Sequence, residues 1–79
     1  MTTPVILPYR GVLPTIDASA FVAPNTSVIG DVRIGPESSV WFGTTLRGDV
    51  QPIVIGARTS IQDNSVIHAT DGWTPTIVG

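Results

Sequence analysis

The hydrophobic residues of this chain recur every six positions. Aliphatic side chains follow this interval from Ile16 to Leu46 and again from Ile55 to Ile67. An α-helix would instead place apolar residues three and four apart, and an amphipathic strand would alternate without a break. The position two residues before most of these aliphatic residues holds a small or β-branched residue: Ala20, Thr26, Val32, Ser38, Thr44, Thr59 and Ser65. A spacing of two places both side chains on one side of a strand. Each hexad therefore predicts a short strand with two inward side chains.

Turn-forming residues separate these predicted strands, as at Gly30-Asp31, Gly35-Pro36 and Asp63-Asn64. Hexapeptide repeats of this kind are typical of an all-β fold, the parallel β-helix, and a small antiparallel sandwich is the alternative. If three hexads complete one turn of a triangular prism, the aliphatic residues stack in three columns. The predicted columns are Ile16, Ile34 and Ile55 on the first face, Val22, Val40 and Ile61 on the second, and Val28, Leu46 and Ile67 on the third.

The six-residue interval is broken twice, and both breaks fall at the corner that follows the third face. The interval is nine residues from Leu46 to Ile55 and eleven from Ile67 to Val78. We therefore predict a β-helix of about three coils over residues 16–79, with loops near 49–53 and 68–76, after an extended, proline-rich lead-in over residues 1–15. Functional residues of solenoid proteins are often found in insertions on one side of the coil.

Composition narrows the functional classes. The chain has 79 residues, no cysteine and a net charge of −2, so it offers no disulfide, no thiolate metal site and no basic patch for nucleic acid. It has neither a signal-peptide pattern nor an apolar run of membrane-spanning length, and we expect a soluble cytoplasmic protein without a membrane partner. Charged residues make up 13% and hydrophobic residues 42% of the chain, which indicates that another subunit covers some apolar surface.

The candidate chemistry lies beside the two insertions. Arg47 follows Leu46 and His68 follows Ile67, and adjacent coils are about 4.8 Å apart, so Arg47, Asp49 and His68 are expected to be neighbours. Gln62 and Asp63 leave the second face of the same coil and are expected to point outward. His68 is a candidate metal ligand, general base or surface imidazole, and one imidazole alone does not complete a catalytic zinc site, which takes three protein ligands.

The runs Arg47-Gly48-Asp49 and Gln62-Asp63-Asn64-Ser65-Val66-Ile67-His68, with Trp41-Phe42 before them, resemble the γ-class carbonic anhydrases. The resemblance implies a left-handed parallel β-helix, assembled as a homotrimer with zinc, or iron or cobalt, between subunits. It also implies reversible hydration of carbon dioxide to bicarbonate. His68 would then be a metal ligand and Gln62 would orient the metal-bound hydroxide. Arg47 and Asp49 would support the site and the subunit contacts, and Asp63 would pair with an arginine across the interface.

The chain also departs from this family. Two further histidines and a C-terminal helix that packs along the prism are absent from it, so we expect an incomplete β-helix that is an N-terminal fragment with impaired or no activity. An uncapped coil also favours end-to-end association as an alternative to the trimer. Two other functions stay open. One is a hexapeptide acyltransferase in which His68 is a general base. The other is a non-catalytic assembly scaffold in which Arg47, Asp49 and Asp63 form ion pairs between subunits.

Overall fold

The fold is a coil of short parallel strands. The structure, a computed structural model, describes residues 3–68 and 76–78. These residues contain no helix, and thus none that is long and apolar enough to cross a membrane. Their strands are β1 (Val5–Leu7), β2 (Thr15–Ile16), β3 (Phe21–Val22), β4 (Ser27–Ile34), β5 (Ser39–Val40), β6 (Thr45–Ile55), β7 (Ser60–Ile61), β8 (Val66–His68) and β9 (Thr76–Val78).

The strand register confirms the three predicted columns. Ile34 pairs with Ile16 and Ile55 on the first face, Val40 with Val22 and Ile61 on the second, and Leu46 with Val28 and Ile67 on the third. All pairings between named strands are parallel, so the antiparallel sandwich is wrong. Strands β4 and β6 pass through the corner between the third and first faces, and these two faces therefore form one six-stranded sheet. The second face is a separate sheet of β3, β5 and β7.

The interior of the prism is filled by the aliphatic columns and by buried hydroxyl groups. Its fully buried members include Val28, Val40 and Leu46. Buried hydroxyls require hydrogen-bond partners, because an unsatisfied polar group in an apolar interior is costly. Thr26 donates to the carbonyl of Ala23 at 2.7 Å, and Thr44 donates to the carbonyl of Gln62 at 2.9 Å. The predicted small and β-branched inward positions therefore serve to close the corners as well as to fill the core.

The corner between the second and third faces, here called the second corner, is a regular stack of single residues. Asn25, Gly43 and Asn64 occupy equivalent positions on successive coils, and all three have a positive φ, between 58° and 72°. Asparagine and glycine accept this left-handed conformation most readily. The backbone N–H of Gly43 donates to the Asn25 side chain at 2.9 Å. A Cβ atom on Gly43 would meet the side-chain oxygen of Asn64, and the φ of 72° also favours glycine at the middle of the stack.

The N-terminal lead-in contributes a strand of its own. Strand β1 pairs with Ser27–Ile29 and so extends the third face by one partial coil. After it, Tyr9 and Val12 exchange two backbone hydrogen bonds of 3.0 Å around a tight turn. Arg10 and Gly11 at the centre of this turn have φ values of 51° and 80°, as a type I′ turn requires.

Candidate site at the third corner

The corner between the third and first faces, here called the third corner, contains the first predicted insertion. Strands β4 and β6 pair through Gly30 and Gly48, and then resume at Val32 and Ile53. Asp31 alone therefore lies opposite residues 49–52, which confirms the predicted three-residue insertion. These four residues form a bulge inside the continuous strand β6, and not a loop that leaves the sheet.

The second predicted insertion, near 68–76, falls mainly on residues 69–75, which lie outside the described residues. The strands on its two sides are described and both pair with β6. Arg47 pairs with His68, and Ile53 pairs with Thr76. These pairings lie on either side of the bulge in β6, at the third corner.

Two stacked glycines let the layers of this corner approach one another. A Cβ atom on Gly30, which has a φ of 77°, would meet the carbonyl oxygen of Gly48 and lie 3.2 Å from the Cβ of Tyr9. A Cβ atom on Gly48 would meet the carbonyl oxygen of Asp31 and lie 2.8 Å from its carbonyl carbon. The obstacles are backbone atoms, which cannot rotate away. Glycine between Arg47 and Asp49 is therefore a packing requirement of the corner.

Arg47 and Asp49 form an ion pair on the outside of this corner. Residues two apart on a strand point to the same side, and Nε of Arg47 lies 3.2 Å from Oδ2 of Asp49. Their side chains are 49% and 20% exposed, so the carboxylate is the more enclosed partner. An exposed pair of this kind adds about 1 kcal/mol or less to stability. The pair orients the Arg47 guanidinium group towards Asp49, on the strand next to β8.

The predicted proximity of Arg47 and His68 is confirmed at the backbone, because the two residues are register partners on adjacent coils. The side chain of His68 lies outside what the structure describes. Its assignment as a metal ligand stays a prediction. Within residues 3–68 and 76–78, no group of three His, Cys, Asp or Glu side chains is placed to hold a metal ion. The described residues of one chain therefore do not fit a complete zinc site, which takes three protein ligands.

Gln62 and Asp63 are exposed, as predicted, but they lie at the second corner. Gln62 donates from Nε2 to the hydroxyl of Ser60 at 2.9 Å on the outer side of the second face. Strand β8 separates both residues from the third corner. One chain thus brings together Arg47, Asp49 and the backbone of His68, but not Gln62 and Asp63. The roles predicted for these two residues stay untested.

The structure adds the N-terminal turn to this corner, which we did not predict from the sequence. A cavity of about 210 Å³ lies between the turn and the bulge, and its walls include Tyr9, Arg10, Asp31 and Asp49. The guanidinium carbon of Arg10 lies 5.5 Å from the centre of the Tyr9 ring. The Arg10-Gly11 dipeptide indicates a turn, but no spacing in the sequence relates that turn to residues 49–52. The pairing of β1 with β4 and the shared cavity show this relation in the structure.

Comparison with known proteins reveals close relatives, although no protein-family model matches the chain. The chain is 56% identical over 64 residues to a carbonic anhydrase from Geobacillus kaustophilus, a match that covers 81% of this chain and 35% of the relative. It is 51% identical over 71 residues to gamma carbonic anhydrase 1, mitochondrial, from Arabidopsis thaliana, covering 84% of this chain and 26% of the relative.

A solved structure also matches. The crystal structure of a hexapeptide transferase family protein from Anaplasma phagocytophilum has a TM-score of 0.87 and 49% sequence identity. That match covers 95% of this chain and 43% of the other. The chain therefore spans less than half the length of each of these proteins. The match confirms the expected fold, a left-handed parallel β-helix of hexapeptide repeats.

Proposed function

From the resemblance to the γ-class carbonic anhydrases, which these relatives confirm, we propose that the chain is part of an enzyme that hydrates carbon dioxide to bicarbonate. One observation carries this proposal. The parallel register aligns His68 with Arg47 on adjacent coils, and Asp49 holds the Arg47 guanidinium from the same strand. The backbone of His68 and the oriented Arg47 cation thus share one corner of the prism.

A metal ion, with zinc as the first candidate and iron or cobalt as alternatives, would supply a bound water of lowered pKa. Because the chain has one histidine and no cysteine, the other ligands must come from further copies of the chain or from residues outside those described. In this proposal, His68 binds the metal and Gln62 orients the attacking oxygen. The ion pair of Arg47 with Asp49 and the exposed carboxylate of Asp63 would fix the neighbouring subunit.

Apolar surface supports an assembly of several copies. Large hydrophobic side chains between 38% and 73% exposed lie over the lead-in, the second face and the last coil, among them Leu7, Leu13, Phe21, Phe42 and Val66. Removal of such surface from water favours association. We propose a homotrimer, with end-to-end association of prisms as the alternative. Light scattering after size-exclusion chromatography distinguishes the two, because end-to-end association gives a mass that rises with protein concentration.

Carbon dioxide hydration tests the proposal directly. The protein, purified with added zinc and separately with iron or cobalt, is mixed with carbon dioxide in a stopped-flow instrument with a pH indicator. We expect an impaired rate, which is still above that of the uncatalysed reaction and which His68→Ala abolishes. Arg33→Ala is the matched control, since Arg33 lies on the first face, away from β8, and its side chain is 61% exposed. An uncatalysed rate with every metal, or equal rates for the wild type and His68→Ala, would contradict the proposal.

The second candidate is acyl transfer, which the name of the Anaplasma phagocytophilum neighbour favours. His68 would then act as a general base for a hydroxyl or amine acceptor. Calorimetric titration with coenzyme A tests this function, and saturable binding without carbon dioxide hydration would favour it. A purely structural scaffold would show neither property, and Arg47→Ala would then break the oligomer.

A further inference from the structure

The N-terminal end of the prism exposes an apolar sheet edge. Among the described residues, β1 and β2 pair only with β4, so the other edge of each strand is open. The three side chains of β1 are aliphatic and between 42% and 47% exposed. An open apolar edge favours pairing with a strand of another molecule, and charged side chains, lysine above all, often prevent it. Strand β1 has no charged residue and the sequence has no lysine, so this edge needs another form of protection.

The hydrogen bonds of β1 show which of its residues face this open edge. In a parallel sheet, the N–H groups of successive residues point alternately to the two neighbouring strands. The N–H of Val5 donates to the carbonyl of Thr26 at 2.8 Å and so points to the side of β4. By this alternation, the positions that point away from β4 hold Pro4, Ile6 and Pro8. Proline has no N–H, so Ile6 alone offers a donor to the open edge of β1.

The first face ends in the same way at β2. The N–H of Asp17, directly after β2, donates to the carbonyl of Ile34 at 3.0 Å. Ile16 therefore points away from β4, and the alternation gives the same direction to Pro14, directly before the strand. Here too a proline removes one outward donor, and an isoleucine keeps the other.

On the second face, β3 also exposes one donor. The N–H groups of Phe21 and Ala23 donate to backbone carbonyls of the next coil at 2.8 Å and 2.9 Å. Val22 lies between them and points to the open edge. The residue after Ala23 is Pro24, which has no N–H. Each of the three edge strands thus offers a single outward N–H, which is too few for a continuous ladder with another strand.

We propose that Pro4, Pro8 and Pro14 form an assembly stop at the N-terminal end of the prism. They remove N–H groups that a strand of a second copy would need for pairing. They do so at positions where no hydrogen bond within the chain is lost, which is where sheets tolerate proline. Because this end cannot pair, end-to-end association cannot continue through it into long fibres. The inference concerns assembly alone and does not depend on the proposed function.

Amide hydrogen exchange in the wild type tests whether this edge is open. Val5 and Ile6 are neighbours on β1, but only the Val5 N–H has a hydrogen-bond partner in the chain. Relative to the rates of an unfolded chain, we expect Ile6 to exchange roughly tenfold faster than Val5, because one hydrogen bond separates them. Equal protection of the two amides, at a concentration where the protein is fully assembled, would mean that another strand covers this edge and would overturn the inference.

Restoring the missing donors tests whether the prolines are the cause. The double variant Pro4→Val with Pro8→Val keeps the edge apolar and adds two outward N–H groups. By light scattering, we expect a mass at least roughly twofold above that of the wild type at equal concentration, rising as the concentration rises. Pro36→Val is the matched control, since Pro36 is an exposed proline of the middle coil, away from the open edge, and its mass should equal that of the wild type.

Circular dichroism establishes that each variant is folded. An unchanged mass in the folded double variant, or an equal rise in Pro36→Val, would overturn the inference. If the double variant does not fold, the comparison of Val5 with Ile6 in the wild type decides, because it requires no substitution.

Discussion

The second and third corners of the prism solve the same geometric problem in different ways. At the second corner, each coil turns through one left-handed residue, and Asn25, Gly43 and Asn64 stack directly. At the third corner, β4 turns at Gly30-Asp31, whereas β6 needs a bulge over residues 49–52 before its pairing resumes. The second corner is regular and repeats. The third is irregular and carries the ion pair of Arg47 with Asp49.

This difference shows how a repeating fold separates stability from chemistry. Buried hydroxyls close the second corner through Thr26 and Thr44, and these groups recur with the hexad. At the third corner, the hexad is interrupted after the Arg47-Gly48-Asp49 run, and the side chains there are oriented by an ion pair. Substitutions of the buried hydroxyls and of the stacked left-handed residues at the second corner should therefore act mainly on folding. At the third corner, substitutions of the two stacked glycines should lower stability strongly. Substitutions of Arg47 or Asp49 should instead change activity.

The largest expected effect is that of Gly48→Ala. The added Cβ would meet the backbone of Asp31, and we expect a loss of about 3 kcal/mol in the free energy of unfolding. Gly43→Ala at the second corner is the matched comparison. There the added Cβ meets the Asn64 side chain, which can rotate, so only the strain of a positive φ remains, about 1 kcal/mol. Urea unfolding at one fixed protein concentration measures both, and equal losses would contradict the difference between the corners.

A smaller loss is expected from Thr26→Val at the second corner. The substitution keeps the shape of the buried side chain but removes its hydrogen bond to the Ala23 carbonyl, at a cost of about 1 kcal/mol. Thr45→Val is the control on the neighbouring coil, since Thr45 is half-buried, and we expect a change within about 0.5 kcal/mol. The same urea unfolding measurement applies. No loss in Thr26→Val would mean that the hydroxyls do not close this corner.

At the third corner, Arg47→Ala is expected to change stability by less than about 1 kcal/mol, because the pair with Asp49 is exposed. Under the proposed function, it should nevertheless lower the hydration rate by roughly tenfold or more, as the loss of groups that orient a metal site does. Arg33→Ala removes a similar exposed pair, with Asp31 at 3.3 Å, and serves as the control. Equal hydration rates of the two variants would show that Arg47 has no role at the site.

The smallest effect concerns the corner between the first and second faces. There the Ser19 hydroxyl, and next its backbone N–H, donate to the Asp17 carboxylate and lower the pKa of Asp17 below its ordinary value of 3.8. Ser19→Ala should raise this pKa towards 3.8. Because the folded pKa is lowered, the contribution of Asp17 to stability is present above pH 3.8 and disappears as the pH falls through the lowered pKa. A carboxyl titration by nuclear magnetic resonance measures the shift, and an unchanged pKa would contradict these contacts.

Much of the fold follows from the sequence because the repeat itself encodes the register. Ile34 and Ile55 have to stack once three hexads make a turn, whatever the corners do. The pairing of Arg47 with Asp49 likewise follows from the alternation of side chains along a strand. The repeat does not specify how segments outside it pair. Strand β1 lies outside the hexad spacing, and its partner Ser27–Ile29 is known only from the structure.

The candidate site is less predictable for the same reason. The cavity between Tyr9 and the bulge joins the lead-in to the third corner, and no periodicity connects these residues. The hydrogen bond from Gln62 to Ser60 depends on how two outward side chains turn, which the hydrophobic pattern does not specify. Sequence patterns describe the inward residues of this prism well, whereas its chemistry lies on the outward ones.

Metal content tests the central claim, that His68 at the third corner is a metal ligand of an assembled site. The wild type and His68→Ala are purified in the presence of zinc and freed of unbound metal. Elemental analysis is then run beside light scattering on the same samples. We expect about one-third of a zinc ion per chain or more in an oligomeric wild type, and none in His68→Ala. A metal-free wild type, or equal zinc in both proteins, would contradict the claim.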